Sequence, residues 1–330
     1  MSDHKQDTVL ITDRAWPDDS IERGVLEAAG LRVVGGPPDP ASAETIEGLA
    51  ADHQPAAILT CWAPVSAQAI AQSGSLRVVT RMGVGLDNIA VGAATERGVH
   101  VTNVPDYCVP EVSDHAVALV LAWTRGIVSA DREVRAGCWD PAGVQLRRLS
   151  TLTCGVVGLG RIGRASAAKL RALGADVVAH DPCPPADTGG VPVVALDDLL
   201  RRSDVVVLHA PLTEATRHLI GGRELALMPP GALLVNVGRG GLVDTAALVA
   251  SLQSGHLGGA GLDVLEEEPA VPAELVEHPA VVITPHIAFS SDASVAELRR
   301  SAAEDVVRVL HGEPARNPCN EPTSASPGVS

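Results

Sequence analysis

Arg239, Glu268 and His286 are the side chains whose types suit proton and charge chemistry and whose settings resemble the strand ends where open α/β sheets hold ligands. Arg239 lies between glycines in Asn236-Val237-Gly238-Arg239-Gly240-Gly241. Glu268 ends the acids of Asp263-Val264-Leu265-Glu266-Glu267-Glu268-Pro269, and His286 follows a proline in Thr284-Pro285-His286-Ile287-Ala288. Singly, each has a plainer reading: a surface-loop arginine, one acid of a solvated run, a structural histidine among 11. Together they meet the needs of reducing a keto acid by hydride transfer. A guanidinium pairs with the carboxylate in a fork, an imidazolium gives its proton to the new alkoxide, and a carboxylate favours the charged imidazole. Met82-Gly83-Val84-Gly85 adds backbone N–H groups that can form an anion-binding nest near a helix expected to start at Asn88. The alternative there is an ordinary strand–helix turn.

A hydride donor needs a holder, and Thr151–Asp181 has the pattern of one. An apolar run, Cys154–Val157, enters Gly158-Leu159-Gly160-Arg161-Ile162-Gly163. Ala165, Ala168, Leu170 and Leu173 follow at near-helical spacing until Gly174, and a second apolar run ends at Asp181. Gly158 permits the tight turn, Gly160 lets the backbone approach a pyrophosphate, and Gly163 lets helix and strand pack closely. Asp181 can accept from both ribose hydroxyls and repels a 2′-phosphate. No Arg or Lys follows it directly, so the reading is NAD (NADH) rather than NADP.

Composition narrows the remaining classes. The chain of 330 residues is 46% hydrophobic and 20% charged, long enough for two domains. A formal charge of −15 disfavours nucleic acid and anionic membrane as partners. The N-terminal MSDHKQDT lacks the apolar core of a signal peptide and the apolar run Ala116–Trp123 is too short to span a bilayer, so the expected location is cytoplasmic. Cysteines at 61, 108, 138, 154, 183 and 319 form no CxxC and no His/Cys cluster, which indicates neither a disulfide framework nor a metal site.

The elements that must position these residues alternate between strand and helix. Strands are expected at Val9–Asp13, Leu31–Val34, Ala56–Thr60, Arg77–Thr80 and Val99–Val104, with helices at Ile21–Ala29, Ala43–Asp52 and from Asn88 to Arg97. A single long helix is expected over Glu111–Ala136. After the glycine-centred unit come helices at Leu196–Ser203, Arg223–Met228 and Thr245–Ser254. The strands among them are Val205–His209, Ala232–Val235, Gly259–Val264 and Val281–Thr284. Ser291–His311 reads as an amphipathic helix that returns to the first domain, and the Pro- and Ser-rich tail Glu321–Ser330 as disordered. The fold class is thus α/β, two doubly wound parallel-sheet domains. The expected boundaries are 1–104 with 290–330 for one domain and 105–289 for the other.

Six segments, in order, resemble the D-isomer-specific 2-hydroxyacid dehydrogenase family, which includes phosphoglycerate dehydrogenase and the C-terminal-binding-protein-like branch. They are Arg81–Ile89, Gly158–Gly163, His209–Thr213, Val235–Gly240, Leu262–Pro269 and Thr284–His286. The resemblance implies a discontinuous, flavodoxin-like substrate domain around a central Rossmann NAD-binding domain. It also implies an NAD-dependent oxidoreductase acting on the CH–OH group of a D-2-hydroxy acid. By resemblance Arg239 binds the substrate carboxylate and carbonyl, His286 is the acid/base and Glu268 its partner. Arg81, the N–H groups of Val84 and Gly85, and Phe289, which stands where corepressor-type members have Trp, would line the substrate. Arg161, Ile162, His209, Ala210, Val237 and Gly238 would join the glycines and Asp181 around the cofactor, with Asp263 near the nicotinamide carboxamide. Family members are usually homodimers built through the NAD domain, and the helix after Pro110 is the candidate contact. Pro230 and Ala90 depart from common family residues without touching the chemistry, and Glu268 rather than Gln disfavours the formate dehydrogenase relatives. An NADH-sensing, corepressor-like binding protein and a dehydrogenase for phosphoglycerate or a 2-hydroxyphosphonate are the alternative functions.

Overall fold

The computed structural model describes residues 6–143 and 145–323. Two compact units emerge from it: one runs to Tyr107 and resumes at Ser291, and the other is Cys108–Ser290. In the first, β1 (Thr8–Ile11), α1 (Ser20–Ala28), β2 (Arg32–Gly35), α2 (Ala43–His53), β3 (Ala57–Thr60), α3 (Ala67–Gln72), β4 (Val78–Arg81), α4 (Val91–Glu96) and β5 (His100–Thr102) alternate along the chain. The strands pair in parallel in the order β2-β1-β3-β4-β5, the flavodoxin-like order. β1, β3 and β4 are buried throughout, as strands covered on both faces must be, and their apolar residues account for the near-continuous hydrophobic runs of the sequence.

The second unit opens with α5 (Val109–Thr124) and α6 (Ile127–Arg135). It continues through β6 (Thr153–Val157), α7 (Arg161–Ala172), β7 (Asp176–His180), α8 (Leu196–Arg202), β8 (Val205–Leu208), α9 (Gly222–Leu227), β9 (Ala232–Asn236), α10 (Thr245–Gln253), β10 (Leu257–Leu262), α11 (Ala273–Glu277) and β11 (Val281–Ile283). Its six parallel strands run β11-β10-β9-β8-β6-β7. A parallel bridge between Ala179 and Val193 adds the rudiment of one more strand beyond β7. With it, the order is that of a Rossmann sheet whose third strand has shrunk to a single bridge. The sheet's core includes Val157, Val178, Leu208, Leu234 and Leu262, packed against Leu199, Leu225, Leu248 and Leu275 of the helices.

Several expected boundaries move. The single helix expected over 111–136 is two: Gly126 takes a left-handed backbone (φ 59°), which breaks the ladder between α5 and α6. The chain after the glycines at 83 and 85 reaches helix only at Val91, because Asn88 O and the Val65 and Ala90 N–H groups are used in pairing with the segment around Val65. The short helices α3 and α11, of six and five residues, were not anticipated; runs so short carry too few periodic positions. Beyond the last helix Pro318–Asn320 pair along β5; of the tail from 321 expected to be disordered, Thr323 N donates to Thr95 O, whereas 324–330 lie outside the described residues.

The closing helix α12 (Asp292–Leu310) packs on α1 in the first unit. At their contact the Arg299 guanidinium donates to both carboxylate oxygens of Glu22 at 2.8–3.0 Å, and to Asp18 O and Oδ1 at 2.8 and 3.1 Å. Glu22 is 1% exposed, so its charge has little water to fall back on. Replacing it by Ala should destabilise the protein by about 3–5 kcal/mol, the usual cost of stranding one member of a buried pair. Asp18→Ala, at an exposed carboxylate, should cost far less. Urea denaturation of the two variants checks the contrast, and equal costs would refute it.

Candidate active site

The glycine turn sits at the carboxyl end of β6. Gly158 has φ 91°, and a side-chain carbon on it would lie 2.7 Å from Ala210 N; one on Gly163 would lie 1.9 Å from Gly158 O. Both positions are therefore closed to any other residue. Gly160 differs: nothing stands within 4 Å of where its Cβ would be, which leaves open space over the first turn of α7. Across the turn, Asp181 Oδ2 accepts from Leu159 N at 2.7 Å and Oδ1 from Cys183 N at 2.8 Å. Each oxygen retains a further lone pair for a hydroxyl. Arg161 and Ile162 form the helix's first turn. His209, held by its N–H to Val157 O, has a buried Nε2 without a hydrogen-bond partner, and burial pushes its imidazole down to about 4, so it is neutral near pH 7. Glycines that a Cβ would jam, an open helix start and a fixed acid fit a dinucleotide.

Three neighbouring strand ends carry the other candidates. At the end of β9, buried Asn236 donates from Nδ2 to Arg239 O (2.9 Å) and accepts from Gly238 N (3.1 Å), clamping the Val237–Arg239 loop. A Cβ on Gly240 would be 1.8 Å from Leu265 O, so this loop lies directly against the one after β10. In that second loop, Glu268 Oε1 accepts from Leu265 N at 3.0 Å and Oε2 lies 2.8 Å from His286 Nδ1. Burial pushes the Glu268 carboxyl up. The hydrogen bond from His286, the charges of His286 and Arg239 and the Leu265 N–H outweigh it, and the group sits below its ordinary value. Glu266, two residues earlier, pairs instead with His218.

His286 itself has a left-handed backbone, φ 54°, which a non-glycine residue adopts only when its surroundings impose it. The Phe289 ring stands edge-on to its imidazole, centroids 6.3 Å apart. Asp263 does the imposing. Its carboxylate, 1% exposed, accepts from Ile287 N (3.0 Å), Ala288 N (2.9 Å) and Thr284 Oγ1 (2.6 Å), and its carbonyl accepts from His286 N. The role implied for Asp263, beside a carboxamide, is thus joined by one that sequence reasoning missed. So is the clamp of Asn236; its position at a strand's last residue before Val-Gly-Arg-Gly was the available signal.

Arg81, Val84 and Gly85 lie on the first unit. The Arg81 side chain is buried and folds back so that Nη1 donates to Met82 O beneath Gly83. Val84 and Gly85 are partly exposed in a loop that Asn103 Nδ2 holds through Val84 O at 2.7 Å. Since α4 begins only at Val91, the helix start expected beside this loop at Asn88 is not there. Beside it Asp13, also 1% exposed and also unanticipated, accepts from the N–H groups of Cys61, Trp62 and Ala63 at 2.7–3.0 Å. Among the described residues no group of three His, Cys, Asp or Glu could hold a metal ion, and no helix is long and apolar enough to cross a membrane.

Two parallel sheets, one ending in a dinucleotide turn and in a His–Glu pair beside an arginine loop, define a pyridine-nucleotide protein of the α/β class. The chain belongs to the D-isomer-specific 2-hydroxyacid dehydrogenase family: the family's NAD binding domain matches residues 117–288. It is 42% identical over 252 residues to D-3-phosphoglycerate dehydrogenase of Mycobacterium leprae, an alignment covering 76% of this chain and 48% of that protein. It is 39% identical over 266 residues to glyoxylate reductase of Korarchaeum cryptofilum, covering 78% and 80%. Among solved structures, D-lactate dehydrogenase from Aquifex aeolicus complexed with NAD and lactic acid superposes with a TM-score of 0.84 at 27% identity, covering 92% of this chain and 96% of that one. The match thus spans about half the length of the phosphoglycerate dehydrogenase and most of the other two. The cofactor is NAD(H).

The open space at Gly160 separates folding from binding. Gly160→Ala should leave the melting temperature within a few degrees of wild type, because the added methyl meets nothing within 4 Å. NADH affinity should fall at least about tenfold, because the same methyl would stand in the approach to the helix start. Fluorescence titration with NADH checks this; unchanged affinity would mean that no ligand approaches there.

Proposed function

We propose that the protein is an NAD-dependent 2-keto acid reductase and D-2-hydroxyacid dehydrogenase. The observation that carries the proposal is the His286 Nδ1 to Glu268 Oε2 pair at 2.8 Å, on loops adjoining that of Arg239. Bound NADH supplies the hydride. The Arg239 guanidinium pairs with the substrate carboxylate and draws charge toward the carbonyl oxygen, while His286 gives that oxygen the proton on Nε2. Glu268 accepts from Nδ1–H throughout, so the imidazole keeps one orientation and is left as the Nδ1–H tautomer after donation. In the oxidising direction Nε2 takes the hydroxyl proton back. Arg81, the Val84 and Gly85 N–H groups and Phe289 are proposed to shape the substrate side. Arg161, Ile162, Asp181, His209, Ala210, Val237 and Gly238 are proposed to line the cofactor.

The reading extends to assembly and place. The helix α6 has no buried residue, and Ile127, Val134 and Trp139 around it are 57%, 49% and 85% exposed, a surface suited to a second copy of the chain. A homodimer in the cytoplasm is therefore proposed, with no nucleic-acid or membrane partner. Sedimentation should give about twice 33.9 kDa, and Trp139→Glu should shift it toward the monomer.

The substrate class is tested by NADH oxidation against glyoxylate, hydroxypyruvate, pyruvate and phosphohydroxypyruvate. The small unphosphorylated acids should turn over; preference for the phosphorylated one would transfer the proposal to the phosphoglycerate alternative. With the best substrate, His286→Ala should lower kcat roughly 100- to 10,000-fold while leaving NADH affinity within about twofold. A His286→Ala enzyme that turns over like wild type would remove His286 from the mechanism.

A further inference from the structure

His115 stands on α5, outside the loops that carry the proposed chemistry, yet its ring reaches one of them. Its Nε2 lies 2.9 Å from Thr284 Oγ1, and Thr284 Oγ1 lies 2.6 Å from Asp263 Oδ1. The directions of these bonds follow from what each group can give. A carboxylate only accepts, and Asp263 already takes two backbone N–H groups, so the single hydroxyl proton of Thr284 goes to it. The lone pairs of that hydroxyl then face His115, whose Nε2 must be the donor. This fixes a chain whose donors converge on the acid: His115 Nε2–H to Thr284 Oγ1, Thr284 O–H to Asp263, and, from the other side, the N–H groups of Ile287 and Ala288, which follow His286, to the same carboxylate.

We propose that His115 and Thr284 are positioning residues for His286, the pair that orients the Asp263 carboxylate and so holds the 284–288 loop in the left-handed turn at His286. The inference rests on the reductase reading for its catalytic consequence but not for its structural one. The loop has reason to need such support. Pro285 contributes no N–H and Ile287 is exposed, and the N–H groups of 286, 287 and 288 all end on Asp263, so the turn depends on how that residue is held. The His115 ring is 21% exposed at its side chain and 3.6 Å from Asp263 Oδ1, close enough that its removal leaves both the hydroxyl and the carboxylate freer to turn.

The test uses the full chain with four single variants and one double. His115→Leu and Thr284→Val remove a donor each. His115→Gln and Thr284→Ser restore one, the amide nitrogen of Gln reaching about as far as Nε2. Expected are an approximately tenfold loss of kcat in His115→Leu and in Thr284→Val, with NADH affinity unchanged, and recovery to within about threefold in the two conservative variants. The double variant should be no worse than Thr284→Val alone, since both act through one chain. Hydrogen–deuterium exchange of the Ile287 and Ala288 amides supplies a readout independent of turnover and should quicken at least about tenfold in the two donor-deleted variants. Wild-type exchange and wild-type kcat in His115→Leu would overturn the proposal. Equal damage from the conservative and non-conservative variants would also overturn it, by assigning the effect to packing. If the wild-type protein reduces none of the keto acids while exchange quickens as expected, the reductase reading falls and the positioning chain stands.

Discussion

A buried carboxylate must have its oxygens hydrogen-bonded, and the candidate site is arranged around one that is. Asp263 sits one residue past the end of β10, where its own strand gives it no side-chain partner, and it takes its donors from the loop after β11. The requirement runs both ways. The loop's N–H groups would be unsatisfied without the acid, and the acid would be an unpaired buried charge without the loop. His286 is caught between them with a backbone that it would not adopt alone. The geometry of the imidazole is therefore set by the sheet's rigid edge through bonds that do not involve the imidazole. Its ring nitrogen stays available to Glu268.

The first unit uses the same device on a different sheet. Asp13, just beyond β1, accepts from three successive N–H groups after β3 and from Thr12 Oγ1, and so fixes the turn that presents Trp62. In each case strand and loop belong to neighbouring strands of the sheet, β1 with β3 and β10 with β11. A parallel sheet makes this possible because its strands all end on the same side, so that a short acid at one end reaches the loop leaving the next. Loops built this way inherit the precision of the strands.

What the sequence disclosed and what it withheld divide along this line. The elements with strong apolar period, the glycine turn and the trio Arg239, Glu268 and His286 could be read from residue type and spacing. Three acids in a row concealed two separate pairings: Glu266 faces His218, and Glu268 faces His286. Only the register of the loop distinguishes them, and register in an irregular segment has no sequence period. Gly126 was visible as a glycine but not as a break, since one glycine inside a long apolar pattern is tolerated as often as it terminates. Pro318–Asn320 drew no element from the sequence because its partner, the edge of β5, is more than two hundred residues away in the chain. Asp13, and the backbone-holding role of Asp263, were hidden for the same reason: an acid that serves a distant backbone leaves no local mark.

The sheet order explains why these parts can serve one reaction. In the second unit the first residue past β6, β7, β8, β9, β10 and β11 is Gly158, Asp181, His209, Val237, Asp263 and Thr284. Read along the sheet rather than the chain, Asp181 and Gly158 come first, then His209, then the Arg239 loop, then Asp263 and the His286 loop. The glycine turn and the Arg239 loop are two strand spacings apart, about 10 Å, with the Asp263 loop one spacing further. A dinucleotide held as proposed, at its ribose by Asp181 and at its pyrophosphate by the helix start of α7, would have its other half free to extend in one direction, across β8 toward β9 and β10. In the other direction lie β7 and the single bridge at Val193. On the proposed reading, the reversal of connection at β6 and β8 does more than open a crevice: it separates the residues proposed to anchor the cofactor from those proposed to handle the proton by the distance the cofactor itself must bridge. Neither group could exchange places with the other without reordering the sheet.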